Sequence, residues 1–231
     1  MEALDKTQTL GDVVLSVPGA DRVFRSYGVD FCCGGSRTLE EALQEAGAAA
    51  DQIVAALAAN ASAGRPDEDG VDVTALSIAG LIDYIVDKHH TFVKRELPAV
   101  AELTTTVLRA HGQRHGEALS EVHSLFGQLR IELEQHLIKE EKTLFPLFHD
   151  EKYALAEAVM AETESEHDTA GSVLKCLRRV TDDYQVPADG CTTFSLLYQK
   201  LEALEGDLFQ HIHLENNLLF PQVRRGSAAV R

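Results

Sequence analysis

The sequence predicts an all-α protein: a small helical N-terminal domain followed by an up-down four-helix bundle. Three features of the chain predict it. Four apolar stripes with steps of three and four residues fill the second part of the chain. Two of those stripes end in the same frame, HxxxE followed by LFP, offset by 75 residues. Between the two parts, NASAGRPDEDGVDV (60–73) is rich in small, charged and turn-forming residues and has no helical stripe, which reads as a linker. The expected boundaries are 1–59 for the N-terminal domain, 60–75 for the linker, 76–225 for the bundle and 226–231 for a tail.

Taken in order, the N-terminal domain holds about sixty residues, marginal for independent folding, so docking or self-association as a homodimer is expected to cover it. A helix is expected from Leu39 to Leu57. The first bundle stripe is Ile82, Val86, His90, Val93 and Leu97, with Ser77 as N-cap and Pro98 as its end. The second is Leu119, Val122, Phe126, Leu129, Leu133, His136, Glu140 and Leu144, stopping at Pro146. The third is Ala156, Met160, Thr163, His167, Ala170, Leu174 and Leu177. The fourth is Phe194, Leu197, Leu201, Leu204, Leu208, His211, Glu215 and Leu218, closing at Pro221. Four helices with one apolar face each make a four-helix bundle.

Four histidines and two glutamates occupy stripe positions that belong to the core. His136–Glu140 aligns with His211–Glu215, and the lone histidines His90 and His167 match at an offset of 77. Each half of the bundle is thus one helix with a His and one with HxxxE, and two such hairpins packed together bring all six residues to one level. Residues i and i+4 share a helix face, so the His and Glu of one HxxxE reach one centre. The Glu-x-x-His spacing of ferritin-like sites does not match, and the HExxH of zinc proteases is absent. Each buried polar group without a partner costs roughly 1–3 kcal/mol against a total stability of about 5–15 kcal/mol. A single such histidine is ordinarily satisfied by hydrogen bonds; six together require a ligand, and metal is the one that suits them. Six N and O donors exceed one tetrahedral zinc and lack the thiolates a soft metal prefers. Two non-haem irons, bridged by Glu140, Glu215 and an oxo or hydroxo group, fit best, with manganese second. The position left open on each ion would take dioxygen or nitric oxide.

Lys and Arg number 21 against 37 Asp and Glu, a net charge of −16 that argues against nucleic acid or an anionic membrane surface as partner. No run approaches the roughly 18 apolar residues of a membrane span, and the first residues, MEALDKTQTLGD, carry no signal-peptide pattern. Four cysteines in a chain of this length are no disulfide scaffold. A reduced, cytoplasmic protein is the expectation. His89, His111, His115, His123 and His213 lie off the ligand stripe and are expected at the surface or facing away from the site. Glu132 and Glu166 neighbour the ligands and are candidates for orienting them, against plain solvation. Cys176 and Cys191 are expected to pack. In YGVDFCCGG (27–35) the glycines leave Cys32 and Cys33 accessible, and a nearby helix N-terminus favours thiolate, so these two are candidate catalytic thiols.

With these motifs in hand, Asp30–Phe–Cys–Cys–Gly–Gly35 followed by His90, HLIKEE (136–141), ESEHD (164–168) and HIHLENNLLFP (211–221), the chain resembles the repair of iron centres family over nearly its whole length. These are di-iron iron-sulfur cluster repair proteins with a DFCCGG-type domain and a hemerythrin-like bundle. The resemblance implies a cytoplasmic, stress-responsive protein that restores clusters after nitrosative or oxidative damage by supplying iron. Its partners would be proteins with damaged clusters. It assigns the iron ligands to His90, His136, Glu140, His167, His211 and Glu215, and marks Cys32 and Cys33 as functional. Two alternatives are nitric oxide scavenging or reduction at the di-iron site, which would make the protein an enzyme, and gas sensing or carriage. The symmetric carboxylates lean away from simple oxygen carriage.

Overall fold

A computed structural model describes residues 4–63 and 70–229. Among these residues the structure is all-helical, with one isolated bridge, Thr9–Thr38, and no strand. No described helix is long and apolar enough to cross a membrane. The helices are α1 (Leu10–Ser16), α2 (Ala20–Ser26), α3 (Leu39–Ala46), α4 (Ala50–Ala63), α5 (Ile78–Tyr84), α6 (Thr91–Lys139), α7 (Phe145–His149), α8 (Tyr153–Val180), α9 (Thr192–Leu214) and α10 (Phe220–Ala229). Three wide π-helical turns, Ile85–His90, Glu140–Leu144 and Glu215–Leu219, join α5 to α6, α6 to α7 and α9 to α10. Of the segment expected as a linker, α4 takes the residues up to Ala63, 64–69 lie outside the described residues, and Val73–Ala75 form a 3₁₀ turn. In the expected tail, 230 and 231 also lie outside them.

The chain divides into two compact units, Asp83–Leu208 and Met1–Ile82 with Phe209–Arg231. Within Asp83–Leu208, α6 is interrupted at His115 (φ −121°, ψ 23°), which leaves four long helical segments. Side-chain pairs give their order and direction. His90 meets Glu141 and Thr105 meets His123, so the first two segments run antiparallel. Lys139 meets Glu166 and Glu121 meets Arg179, which does the same for the second and third. Arg178 holds the buried Glu205, while His89 meets Asp207 and Glu96 meets Lys200, so the fourth lies between third and first. That is an up-down bundle, filled by Val93, Val100, Val107, Leu119, Phe126, Leu133, Met160, Leu174, Phe194 and Leu201.

The helices run past the prolines at which the sequence predicts they end. Pro98 lies inside α6 because Val100, Thr104 and Val107 continue the buried stripe beyond it, offsetting the roughly 3 kcal/mol that an interior proline costs. Pro146 and Pro221 each follow a π-helical turn and fall in the first turn of a new α-helix, where no intrahelical donor is required. Phe148 and Val223 extend the buried faces past them.

The other unit has its own core of Leu10, Val13, Phe24, Phe31, Leu39, Leu43, Ile53 and Leu57, against which Phe209 of α9 packs. Thr38 caps α3 and makes a capping box with Glu41. The single helix expected over Leu39–Leu57 is two, because the chain turns at Gly47, whose φ of 53° suits glycine.

Candidate metal centre

The polar stripe residues are buried as their spacing requires: His90, His136, Glu140, His167, His211 and Glu215 each expose 5% or less of their surface. In Asp83–Leu208, Glu140 stands between two histidines. Its Oε1 is 3.2 Å from His136 Nε2 and its Oε2 3.3 Å from His90 Nε2. His167 Nε2 lies 3.3 Å from His136 Nε2, and the His90 ring stacks on Phe145. In the other unit, His211 Nε2 and Glu215 Oε1 repeat the 3.2 Å pairing of His136 and Glu140. These separations match those between neighbouring donors on one ion with bonds of about 2.0–2.2 Å, roughly 3.0–3.5 Å.

The outer ring nitrogens explain why the inner ones suit a metal. His90 Nδ1 donates to Glu141 Oε1 at 2.8 Å, and His136 Nδ1 donates to Glu166 Oε2 at 2.9 Å. A proton fixed at Nδ1 leaves the Nε2 lone pair of the neutral ring facing the Glu140 carboxylate. A divalent ion between them would satisfy nitrogen and oxygen together. The donor set thus fits a hard-to-borderline metal.

The outer carboxylates are themselves anchored. Lys94 binds Glu141 and Lys139 binds Glu166, each at 2.5 Å. Against the cost of burial, the hydrogen bonds from Lys94 and His90 hold the Glu141 carboxyl below its ordinary range. The His136 hydrogen bond, then that of Lys139, does the same for Glu166. Changing Glu141 or Glu166 to Gln is expected to keep the fold and weaken metal affinity roughly 10–100-fold, read by titration against a chelator. Metal affinity equal to the unchanged protein would show these contacts to be incidental.

Several off-stripe readings need correction. His89 is not at the surface; it is buried with Nδ1 2.9 Å from Asp207 Oδ1, because the π-helical turn that contains it rotates it inward. His111 and His115 are half-buried, and only His123 is exposed. Their neighbours are Cys191, whose exposed thiol His111 pulls down to about 7, and Asp189. His213, expected to face away from His211, is buried against the Phe31 ring, so only the idea of a surface position falls. Glu166 reaches its histidine across the bundle on the second segment instead of serving His167 beside it. Glu132 accepts from Gln128. Glu141 was not singled out by spacing, since it lies one residue off the stripe; its place directly after Glu140 was the available signal.

Cys32 also departs from expectation. It is buried, with only Cys33 partly accessible, and the Cys33 hydrogen bond together with burial pushes its thiol well above the usual cysteine value instead of lowering it. The cause is docking: the Asn216 side-chain amide donates to Cys32 O at 3.4 Å, and that of Asn217 donates to Cys32 O at 3.2 Å and Phe31 O at 3.4 Å.

Comparison with known proteins gives the family. The hemerythrin HHE cation binding domain family matches residues 81–223, and a domain of unknown function, DUF542, matches residues 6–61. A probable iron-sulfur cluster repair protein of Haemophilus influenzae is 37% identical over 94% of this chain and 96% of its own. The iron-sulfur cluster repair protein YtfE is 36% identical in an Enterobacter species and 34% in Escherichia coli, each over 96% of this chain and 98% of the relative. The chain belongs to the same family as these iron-sulfur cluster repair proteins. Within this hemerythrin-like repair family, the matched domain covers all six stripe residues, and DUF542 covers the Cys32–Cys33 loop.

Proposed function

We propose that the protein serves iron-sulfur cluster repair by holding two iron ions with His90, His136, Glu140, His167, His211 and Glu215 and giving up iron to a damaged acceptor. The observation that carries this reading is Glu140, with one carboxylate oxygen beside His90 and the other beside His136, the placement of a bridging ligand. Support comes also from the repeat, which supplies a second His-x-x-x-Glu pair with the same 3.2 Å separation, and from relatives named for cluster repair. When bound, the iron would supply a redox-active ion that exchanges its carboxylate and imidazole ligands readily. The chain's own part is to present Nε2 of His90 and His136 to the ion, with their Nδ1 protons held by Glu141 and Glu166, and to keep Glu140 out of water.

Anaerobically purified protein is expected to carry two irons per chain and to restore activity to an acceptor enzyme whose cluster nitric oxide has destroyed. Loss of iron from the repair protein should match gain by the acceptor. Tightly bound zinc in place of iron, or recovery no faster than with free ferrous ion, would overturn the proposal.

A further inference from the structure

The unit that combines Met1–Ile82 with Phe209–Arg231 holds a second group of ligand-type atoms, apart from the stripe. The Asp30 carboxylate, Cys32 Sγ and Cys33 Sγ lie within 4.8 Å of one another. Both cysteines are free, with their sulfurs 3.7 Å apart, and Cys32 Sγ is 3.4 Å from Asp30 Oδ1. Two thiolates on one tetrahedral ion with bonds of about 2.3 Å stand about 3.8 Å apart, and a thiolate and a carboxylate oxygen about 3.5 Å. The observed separations are those two edges, whereas a disulfide needs about 2.05 Å.

The loop is built to hold this arrangement. The backbone N–H groups of Cys33 and Gly34 donate to Asp30 Oδ1 at 3.1 and 3.2 Å. Asn216 and Asn217, the residues directly after Glu215, fix the carbonyls of Phe31 and Cys32. Gly35 is required by that docking, since a Cβ there would lie 2.3 Å from Asn217 Oδ1. With three protein donors, such a site leaves one tetrahedral position open, as exchange and catalytic sites do and structural sites do not. Mixed thiolate and carboxylate donors suit ferrous iron or zinc over magnesium or calcium.

We propose that Asp30, Cys32 and Cys33 form a second metal site, for one thiophilic divalent ion, through which iron passes on its way to an acceptor. On binding, each thiol releases its proton to solvent and no electron moves. Because both thiols must give up a proton to bind the ion, binding tightens with pH. The site itself stands on loop geometry; its use in transit rests on the iron-donating reading.

The test adds cobalt(II) anaerobically to the full chain with its iron loaded. One further ion per chain is expected, with the near-ultraviolet sulfur-to-cobalt charge-transfer band and visible bands of a tetrahedral thiolate site. Cys33→Ser and Asp30→Asn should each weaken cobalt binding more than about tenfold while iron content and thermal melting hold. Cys33 is the more accessible thiol, so its variant decides the matter if Cys32→Ser fails to fold. Absence of the band in the unchanged protein, or its survival in Cys33→Ser at full strength, overturns the site. Iron release to a chelator gives the second reading: slower release from Cys33→Ser supports transit, and equal release with the cobalt band lost overturns it. A chain that binds cobalt here yet releases no iron to any acceptor would instead overturn iron donation.

Discussion

Glu140→Ala is expected to leave a folded protein that no longer retains iron. Both carboxylate oxygens of Glu140 face imidazole nitrogens, so one substitution removes a donor from each side of the site. The fall in affinity should exceed the roughly 10–100-fold that loss of an outer carboxylate costs. Iron per chain measured after desalting would fall to near zero, and the optical bands of the centre would vanish. Stability of the metal-free protein should move the other way. A carboxylate with 0% exposure is costly to bury, so the metal-free Ala variant should melt at or above the metal-free parent. Unchanged iron content would remove Glu140 from the ligand set. A lower melting temperature for the metal-free variant would show the carboxylate to be structural.

Gly35→Ala should act on the other unit and chiefly on stability. The added methyl would meet Asn217 Oδ1 at 2.3 Å, its Nδ2 at 2.6 Å and the Phe31 carbonyl at 2.6 Å, all well inside van der Waals contact. Overpacking of this kind costs about 1–3 kcal/mol, which for a chain of this size lowers the melting temperature by roughly 3–10 °C. Two of the three clashes are with one side chain and the third is with the Phe31 backbone carbonyl, so adding Asn217→Ala should recover only part of the loss. A Gly35→Ala protein that melts like the parent would mean that the loop does not sit against α9 and its continuation in solution.

The ligand residues were legible because metal binding makes histidine and glutamate occupy apolar positions of a helical stripe, and the repeat made that displacement visible twice. Glu141 and Glu166 were harder to see, as they lie off the stripe and bind across helices, and pairing between elements leaves no periodic trace. Helix ends depart from the sequence pattern for a related reason: proline predicts a stop from local sterics, but continued burial at Val100, Phe148 and Val223 decides the outcome. Cys32 failed for the opposite reason. Glycines around it suggested openness, yet their lack of side chains lets Asn216 and Asn217 approach and close the loop.

The π-helical turns bear on descent. They begin at Glu140 and at Glu215, span the same five positions of each repeat, and end with Phe145 N–H bonded to Glu140 O and Phe220 N–H to Glu215 O. A π turn is the mark of one residue inserted into an α-helix. Two insertions at the same place are more simply one, present in an ancestral hairpin before it doubled. The turn ending at His90 has no counterpart at His167, since α8 is unbroken from Tyr153 to Val180. The two halves of the bundle thus differ at their lone histidines while sharing one geometry at their carboxylates.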